Sequence, residues 1–394
     1  MNRMLNRRAF IKNALTWFGA GFASTLGVQS LSACKNLEGA TTSAVAPRRI
    51  PSSTPWPLHE AMFYQQLPED QIQCQVCFRQ CIVAPEKLGF CNNKKNVDGN
   101  YYTLIYGRPC ALQIDPIEKE PAFHMLPGAS ILCTGTASCN QHCQFCQNWE
   151  MSQRTLWEVF NLVAFPNDVV EMAMEEGCDA VSFTYNEPTV FYEQMYDTAR
   201  LAKEKGLRAL FHTNGTMNPK PLLALLEFMD SVTVDLKAFK EEFYERVCKS
   251  ELWPVLRTLE NIRKAGKHLE IVHLIVPTKN DDLDDIRKMC NWIFTNLGAE
   301  TPLHFIRFFP AYRLQRLPLT PIETLESAAS IAIDEGLLYV YIGNYPGHER
   351  NSTFCPNCGE RIIGRVHFTV FHVEVIEGRC RFCDHPIPGV WWDT

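Results

Sequence analysis

The stretch Cys133-Thr-Gly-Thr-Ala-Ser-Cys139-Asn-Gln-His-Cys143-Gln-Phe-Cys146-Gln-Asn-Trp149 decides how this chain reads. Cys139, Cys143 and Cys146 stand in Cys-x3-Cys-x2-Cys spacing, just after an apolar run, Ala129 to Leu132, that reads as a strand. Three thiolates on one tight loop can hold three corners of a cubane iron–sulfur cluster. A structural zinc site would want a fourth ligand close by. An iron left without a protein ligand can bind a small molecule and pass it an electron. The loop therefore points to an enzyme.

Downstream of the loop, amphipathic segments alternate with short strands. The pattern predicts helices over Val169–Glu176 (Asn167 available as its cap), Val190–Lys205, Leu222–Met229, Val255–Ala265, Asp284–Leu297 and Ile322–Glu335. Strands are predicted over Ala180–Tyr185, Leu207–His212, Ser231–Leu236, Leu269–Val276, Leu303–Phe309 and Leu337–Ile342. Repeated βα units imply a parallel sheet, and their number fits a full or partial (β/α) TIM-type barrel. Such barrels carry their sites at the C-terminal strand ends. Polar residues recur there: Asn186 and Glu187, Thr213 and Asn214, Asp235 and Lys237, His304 and Arg307, and Asn344. Each alone reads as a cap or turn residue; together, beside the cysteine loop, they read as a site.

Two further cysteine modules flank this α/β core. Cys74-x2-Cys77-x3-Cys81-x9-Cys91 forms a closed four-thiolate set, either structural zinc or an auxiliary iron–sulfur cluster. Lys94 and Lys95 behind it read as a solvated turn, and Tyr101–Tyr106 as a hairpin strand. At the other end, Cys355-Pro-Asn-Cys358 and Cys380-Arg-Phe-Cys383 frame the alternating segment Arg361–His372, a zinc-ribbon pattern. The remaining Cys110, Cys133, Cys178, Cys248 and Cys290 read as buried small residues, with Cys248 of interest because it follows the strand carrying Asp235.

The chain has 394 residues, 46% hydrophobic and 21% charged, which suits two or three globular domains. A net charge of −6 offers no bulk positive field for nucleic acid, and none is expected from the few arginines of the ribbon. Seventeen cysteines make metal chemistry the favoured class. The start, Asn6-Arg7-Arg8-Ala9-Phe10-Ile11-Lys12, is close to a twin-arginine signal, and Leu31-Ser-Ala-Cys34 fits a lipobox. Export with a lipid anchor on Cys34 facing the periplasm is the expectation, with a cytoplasmic location as the alternative. The expected organisation is signal 1–34, linker 35–68, four-cysteine module 69–128, barrel 129–348 and ribbon 349–394.

Cys139-x3-Cys143-x-Phe145-Cys146 resembles the radical S-adenosylmethionine motif, aromatic before the last cysteine included. Ile114-Asp-Pro-Ile-Glu-Lys-Glu-Pro, Cys146-Gln-Asn, Phe183-Thr-Tyr-Asn-Glu-Pro-Thr189, His212-Thr-Asn-Gly, Val234-Asp-Leu-Lys-Ala-Phe and Tyr341-Ile-Gly-Asn resemble, more narrowly, the radical enzyme of the AmmeMemoRadiSam system. That family is related to pyruvate formate-lyase activating enzymes, and the resemblance runs from about Ile72 to Trp392. It implies a [4Fe–4S] cluster on Cys139, Cys143 and Cys146, with S-adenosylmethionine chelating the fourth iron. A low-potential donor would supply the electron that splits the cofactor into methionine and a 5′-deoxyadenosyl radical, which abstracts hydrogen from an unidentified substrate.

By the same resemblance, Asn186 and Glu187 would face the cofactor's amino group. Asn214 and Asp235 would face its ribose or amino-acid part, Lys237 its carboxylate, and the backbone near Phe145 its adenine. Memo-like and AMMECR-like proteins are the implied partners. One departure is Phe309, in Arg307-Phe-Phe-Pro310, where relatives are expected to carry histidine. Alternatives are a glycyl-radical enzyme activase and, in another class, a membrane-tethered iron–sulfur electron carrier. The carrier would need no cradle such as Asn186, Glu187, Asp235 and Lys237.

Overall fold

Short apolar runs broken by amphipathic helices build the core of the protein, seen here in a computed structural model that describes residues 48–50 and 56–392. The segments expected to be a signal and a lipobox, and most of the expected linker, lie outside the described residues. Strand β1 (Ala111–Pro116) pairs antiparallel with β2 (Ser130–Gly135). Then β3 (Ala180–Phe183), β4 (Arg208–Thr213), β5 (Ser231–Asp235), β6 (His268–Ile275), β7 (Leu303–Arg307) and β8 (Val340–Gly343) add in chain order, each parallel to the one before. Helices α1 (Pro166–Glu175), α2 (Tyr192–Glu204), α3 (Pro219–Leu226), α4 (Trp253–Lys264), α5 (Leu283–Leu297) and α6 (Ile322–Asp334) make the crossovers.

The sheet order runs from β8 to β1 with no ladder between its two ends among the described residues. The α/β core is thus a mixed sheet consistent with a partial barrel, and the antiparallel β1 is an element the sequence pattern did not reveal. Fully buried Phe183, Phe211 and Phe305 lie in its core, each worth about 1.5–3 kcal/mol against exposure. Among the described residues no helix is long and apolar enough to cross a membrane.

Two small antiparallel sheets carry the N-terminal cysteines, one of them built from Tyr64–Gln66, Ile72–Cys74 and Ile82–Val83. The C-terminal ribbon contains the expected hairpin, as Arg361–Val366 against Thr369–Val373. Four readings need correction. Tyr101–Tyr106 supplies a shorter strand, Asn100–Thr103. Asn167 does not cap α1; it sits inside the first turn, while Asp168 accepts from the Phe165 backbone N–H at 2.9 Å. Lys94 is not solvated: it is 2% exposed, with Nζ 2.6 Å from Glu193 Oε1. His304 points away from the site end, for it is the second residue of β7 and its Nε2 lies 2.6 Å from Glu270 Oε2.

That last pair belongs to a buried polar layer at the N-terminal strand ends, plugged by the segment carrying Glu118, Glu120 and His124. The Glu270 carboxylate also accepts from the His124 backbone N–H at 2.7 Å and faces His268 Nε2 at 3.1 Å. His124 Nδ1 donates to Pro388 O at 2.7 Å, which leaves Nε2 to accept from the Tyr341 hydroxyl at 2.6 Å. Burial takes the His124 pKa down to about 3 and that of His273 down to about 4.

Below pH 6.5 the unfolded chain therefore binds protons that these two rings refuse. Stability present above that pH is lost as it falls, by about 1.4 kcal/mol per pH unit for each ring. His212, raised by its pairing with Asp235 although burial opposes it, works in the opposite direction. The informative measurement is comparative. His124→Asn is expected to lose stability less steeply than the parent in urea unfolding between about pH 7 and about pH 5. Parallel curves would contradict the assignment.

Candidate functional site

The cysteine loop leaves the C-terminal end of β2 at Gly135, where any side chain would collide. A Cβ there would lie 2.9 Å from the Thr184 carbonyl oxygen and 3.0 Å from both Met151 and Tyr185. Two residues bordering the site have left-handed backbones that disfavour non-glycine residues. These are Ser138 (φ +71°), just before Cys139, and Tyr185 (φ +71°), just before Asn186. Such strain, of order 1–3 kcal/mol each, persists where surroundings over-determine it, characteristically at functional sites. Here the Tyr185 hydroxyl donates to Asp115 at 2.6 Å, and its carbonyl accepts from Asn148 Nδ2 at 2.7 Å.

The loop is tied down on both sides. His142 N–H donates to Cys248 O at 2.9 Å and Gln144 N–H to Val247 O at 3.0 Å. Cys139 Sγ accepts from Gln141 N–H at 3.4 Å, Cys143 Sγ donates to Gln141 Oε1 at 3.3 Å, and Cys146 Sγ lies 3.1 Å from Ser152 Oγ. Burial and Glu187 push the Cys139 thiol far up, while a hydrogen bond with Cys248, and burial, do the same to Cys143. Thiols so placed ionise when a cation supplies the missing charge, as cluster ligation does. Three soft donors on one enclosed loop fit an iron–sulfur cluster.

Around the loop the expected residues converge, with different degrees of freedom. Asn186 is fully committed to the loop: its Oδ1 accepts from Thr136 N–H at 3.0 Å and its Nδ2 donates to Ser138 O at 2.7 Å. Glu187 is buried and accepts from Thr189, from Thr213 Oγ1 at 2.8 Å and from Asn214 N–H at 2.7 Å. Burial raises its pKa against those bonds. Asn214 Nδ2 donates to Asn140 Oδ1 at 2.8 Å.

Asp235 joins two basic groups, His212 Nε2 at 2.9 Å and Lys237 Nζ at 2.6 Å. Burial opposes its ionisation, but Lys237 and His212 outweigh it and hold the carboxyl well below the usual range. The Lys237 ammonium faces Cys143 and Cys248 electrostatically and stands 5.9 Å from the Phe145 ring centre. It is a largely buried cation beside the cysteine loop. Phe145 is buried, with its ring centre 5.9 Å from that of Phe243.

Arg307 and Asn344 lie farther along the same end: Arg307 Nε donates to Thr320 O at 2.9 Å, and Asn344 Nδ2 to Arg307 O at 3.3 Å. Phe309 is partly exposed, 5.9 Å from the Arg307 guanidinium. Asn140, Gln141 and Ser152, which touch the three loop thiols, carry no spacing or motif that singles them out in the chain. Glu120 was hidden too. It accepts from Ser182 Oγ at 2.7 Å and Cys133 Sγ at 3.3 Å and lies 3.7 Å from His212, extending the polar column under Asp235.

At the other end of the chain, Cys355, Cys358, Cys380 and Cys383 place their sulfurs within 4.8 Å of one another, a set able to hold a metal ion.

Comparison with known proteins agrees with this geometry. The Radical SAM superfamily profile matches residues 134–293, from the end of β2 into α5. An uncharacterized protein of Methanocaldococcus jannaschii is 44% identical over 84% of this chain and 99% of its own length. The pyruvate formate-lyase-activating enzyme of Listeria monocytogenes is 24% identical over 40% of this chain and 66% of its own. Among solved structures, a domain of the pyruvate-formate lyase-activating enzyme of Bacteroides vulgatus aligns at TM-score 0.38 and 16% identity, over 42% of this chain and 99% of that one. The cysteine loop, the βα core that presents it and the sequence matches lead to one placement: the chain belongs to the radical SAM superfamily, as an enzyme distantly related to the pyruvate formate-lyase activating enzymes.

Proposed function

We propose that Cys139, Cys143 and Cys146 hold a [4Fe–4S] cluster and that the polar strand ends beside them cradle S-adenosylmethionine. The observation that carries this is the convergence of Glu187, Asn214, Asp235 and Lys237 on the loop that presents the three thiols. When bound, the cluster supplies the electron that cleaves the sulfonium and yields a 5′-deoxyadenosyl radical. The protein's own residues bind and orient. Lys237 offers the positive charge for the cofactor's carboxylate, and Asp235 keeps that ammonium charged and aimed. Glu187 fixes the backbone N–H of Asn214 and the Thr213 hydroxyl, so the β3 and β4 ends keep one shape. Asn186 locks the loop backbone between Thr136 and Ser138. The buried aromatics Phe145 and Phe243 keep water from the space where a radical would form.

For the hydrogen donor, the named relatives favour activation of a partner polypeptide. A putative glycyl-radical enzyme activating enzyme of Methanocaldococcus jannaschii is 27% identical over 38% of this chain, and the Listeria match bears a name of the same kind. The AmmeMemoRadiSam resemblance extends into both flanking modules and carries the second reading, a substrate shared with Memo-like and AMMECR-like partners.

The test is turnover. Full-length protein, reconstituted anaerobically and reduced, is expected to release 5′-deoxyadenosine from S-adenosylmethionine. A loaded, reduced cluster that yields none, with an electron paramagnetic resonance (EPR) signal indifferent to the cofactor, would exclude this reading in favour of an electron carrier.

A further inference from the structure

The three cysteine sets differ in how far apart they hold their sulfurs. In the C-terminal ribbon Cys355 and Cys383 are 3.6 Å apart and Cys358 and Cys380 3.7 Å. Zinc–sulfur bonds of 2.3 Å in a tetrahedron give an edge of about 3.8 Å, so this ribbon has zinc spacing. Among the described residues it is the one set of three or more such groups whose donor atoms all fall within 4.8 Å. Cys74, Cys77, Cys81 and Cys91 do not meet that limit, and neither do Cys139, Cys143 and Cys146. Yet the four N-terminal thiols form one enclosed group. Cys77 lies in the electrostatic field of Cys74 and Cys91, and Cys91 in that of Cys74 and Cys81. Thiolates that bind separate iron corners stand farther apart than thiolates sharing one zinc, so a four-thiol set outside that limit is compatible with cluster ligation.

The surroundings suit an anionic thiolate cluster beside that loop. Buried Lys94, already paired with Glu193, also faces Cys74 and Cys91 and brings a cation beside these two thiols. The module docks through Cys77 itself, which forms an isolated antiparallel bridge with Met217 and whose carbonyl accepts from Asn218 Nδ2 at 2.9 Å. Arg79 Nε donates to Asn140 O at 2.6 Å, and the Asn140 side chain hydrogen-bonds the Cys77 thiol. Asn140 adjoins Cys139 in the chain. A single residue therefore separates the two thiol sets.

We propose that Cys74, Cys77, Cys81 and Cys91 bind a second iron–sulfur cluster, fully ligated by protein, which receives single electrons from an external low-potential donor and hands them across Asn140 to the central site. In each transfer the donor is oxidised by one electron and the N-terminal cluster reduced. That cluster is then reoxidised as the central one is reduced, and no atom changes place. Only the identity of the acceptor rests on the function proposed above; the metal site itself does not.

The test separates the two. Full-length protein with Cys139, Cys143 and Cys146 all changed to alanine, reconstituted anaerobically with iron and sulfide, is expected to keep about four irons and about one zinc per chain. About two zincs and no iron would overturn the proposal, whatever the parent does with S-adenosylmethionine. A Cys77→Ser/Cys81→Ser variant is expected to retain the central irons, and Cys355→Ser to lose zinc alone. In the fully reduced parent the EPR spectrum should show magnetic coupling between neighbouring clusters. A spectrum equal to the sum of the two single-cluster variants would refute their placement across Asn140.

Discussion

Cys143→Ala is expected to empty the central site: about four irons fewer per chain and 5′-deoxyadenosine formation at background. The loss should exceed about 100-fold, because removing even an outer-shell partner of a metal ligand costs about 10–100-fold. The change deletes one sulfur from a residue 7% exposed, and the loop keeps its hydrogen bonds to Cys248 O and Val247 O. The effect should thus be local, with a far-ultraviolet circular dichroism spectrum unchanged from the parent. Cys248 complicates the single substitution usefully. Its thiol hydrogen-bonds that of Cys143, so it is the neighbour able to replace the missing ligand. Cys143→Ala/Cys248→Ala removes that route. Full iron content and turnover in the double variant would sink the ligand assignment.

The difference between what the chain revealed as a string and what it kept hidden follows from the range of the forces involved. Helix periodicity and strand alternation are local, so each crossover helix α1–α6 is placed within a few residues, whereas the short turns Trp149–Ser152 and Glu241–Phe243 have too little length to show a period. The spacing of Cys139, Cys143 and Cys146 is local too, and it named the loop. Charges are another matter. Lys94 sits in a Lys-Lys pair that looks solvated, and only Glu193, 99 residues on, explains its burial. His304 is only the second residue of β7 (Leu303–Arg307), so it belongs to the strand end opposite the site. Its partner Glu270 lies on the adjacent strand, which no periodicity reveals. Asn186, which the resemblance sets toward the cofactor's amino group, also holds the cysteine loop 48 to 50 residues earlier through its amide, a geometry that pairing of β2 with β3 creates.

Arg365→Ala is expected to be among the most destabilising single changes in the protein, although Arg365 lies on a ribbon hairpin far in sequence from the barrel core. Its Nε stands 3.4 Å from Glu118 Oε1, its Nη1 donates to Thr353 Oγ1 at 2.8 Å and its Nη2 to Phe123 O at 2.6 Å. Both side chains of the ion pair are 0% exposed. Burial pushes the Glu118 carboxyl up, and Arg365 is the main influence pulling it back. Truncating the arginine leaves that carboxylate buried with two backbone N–H groups, that of Gly128 at 3.0 Å and its own. Breaking a buried pair in this way costs about 3–5 kcal/mol, and for a chain of this size that lowers Tm by on the order of 5–10 °C. Two buried charges are also poor glue. The matched replacement Arg365→Met/Glu118→Leu should recover most of the loss, because it removes both desolvation penalties together. Differential scanning calorimetry of the three proteins decides it. An Arg365→Ala chain that melts within about 1 °C of the parent would mean that the ribbon contributes little to the core, and that the bonds of Glu120 to Ser182 and Cys133 and of His124 to Glu270 suffice to hold the segment carrying Glu118.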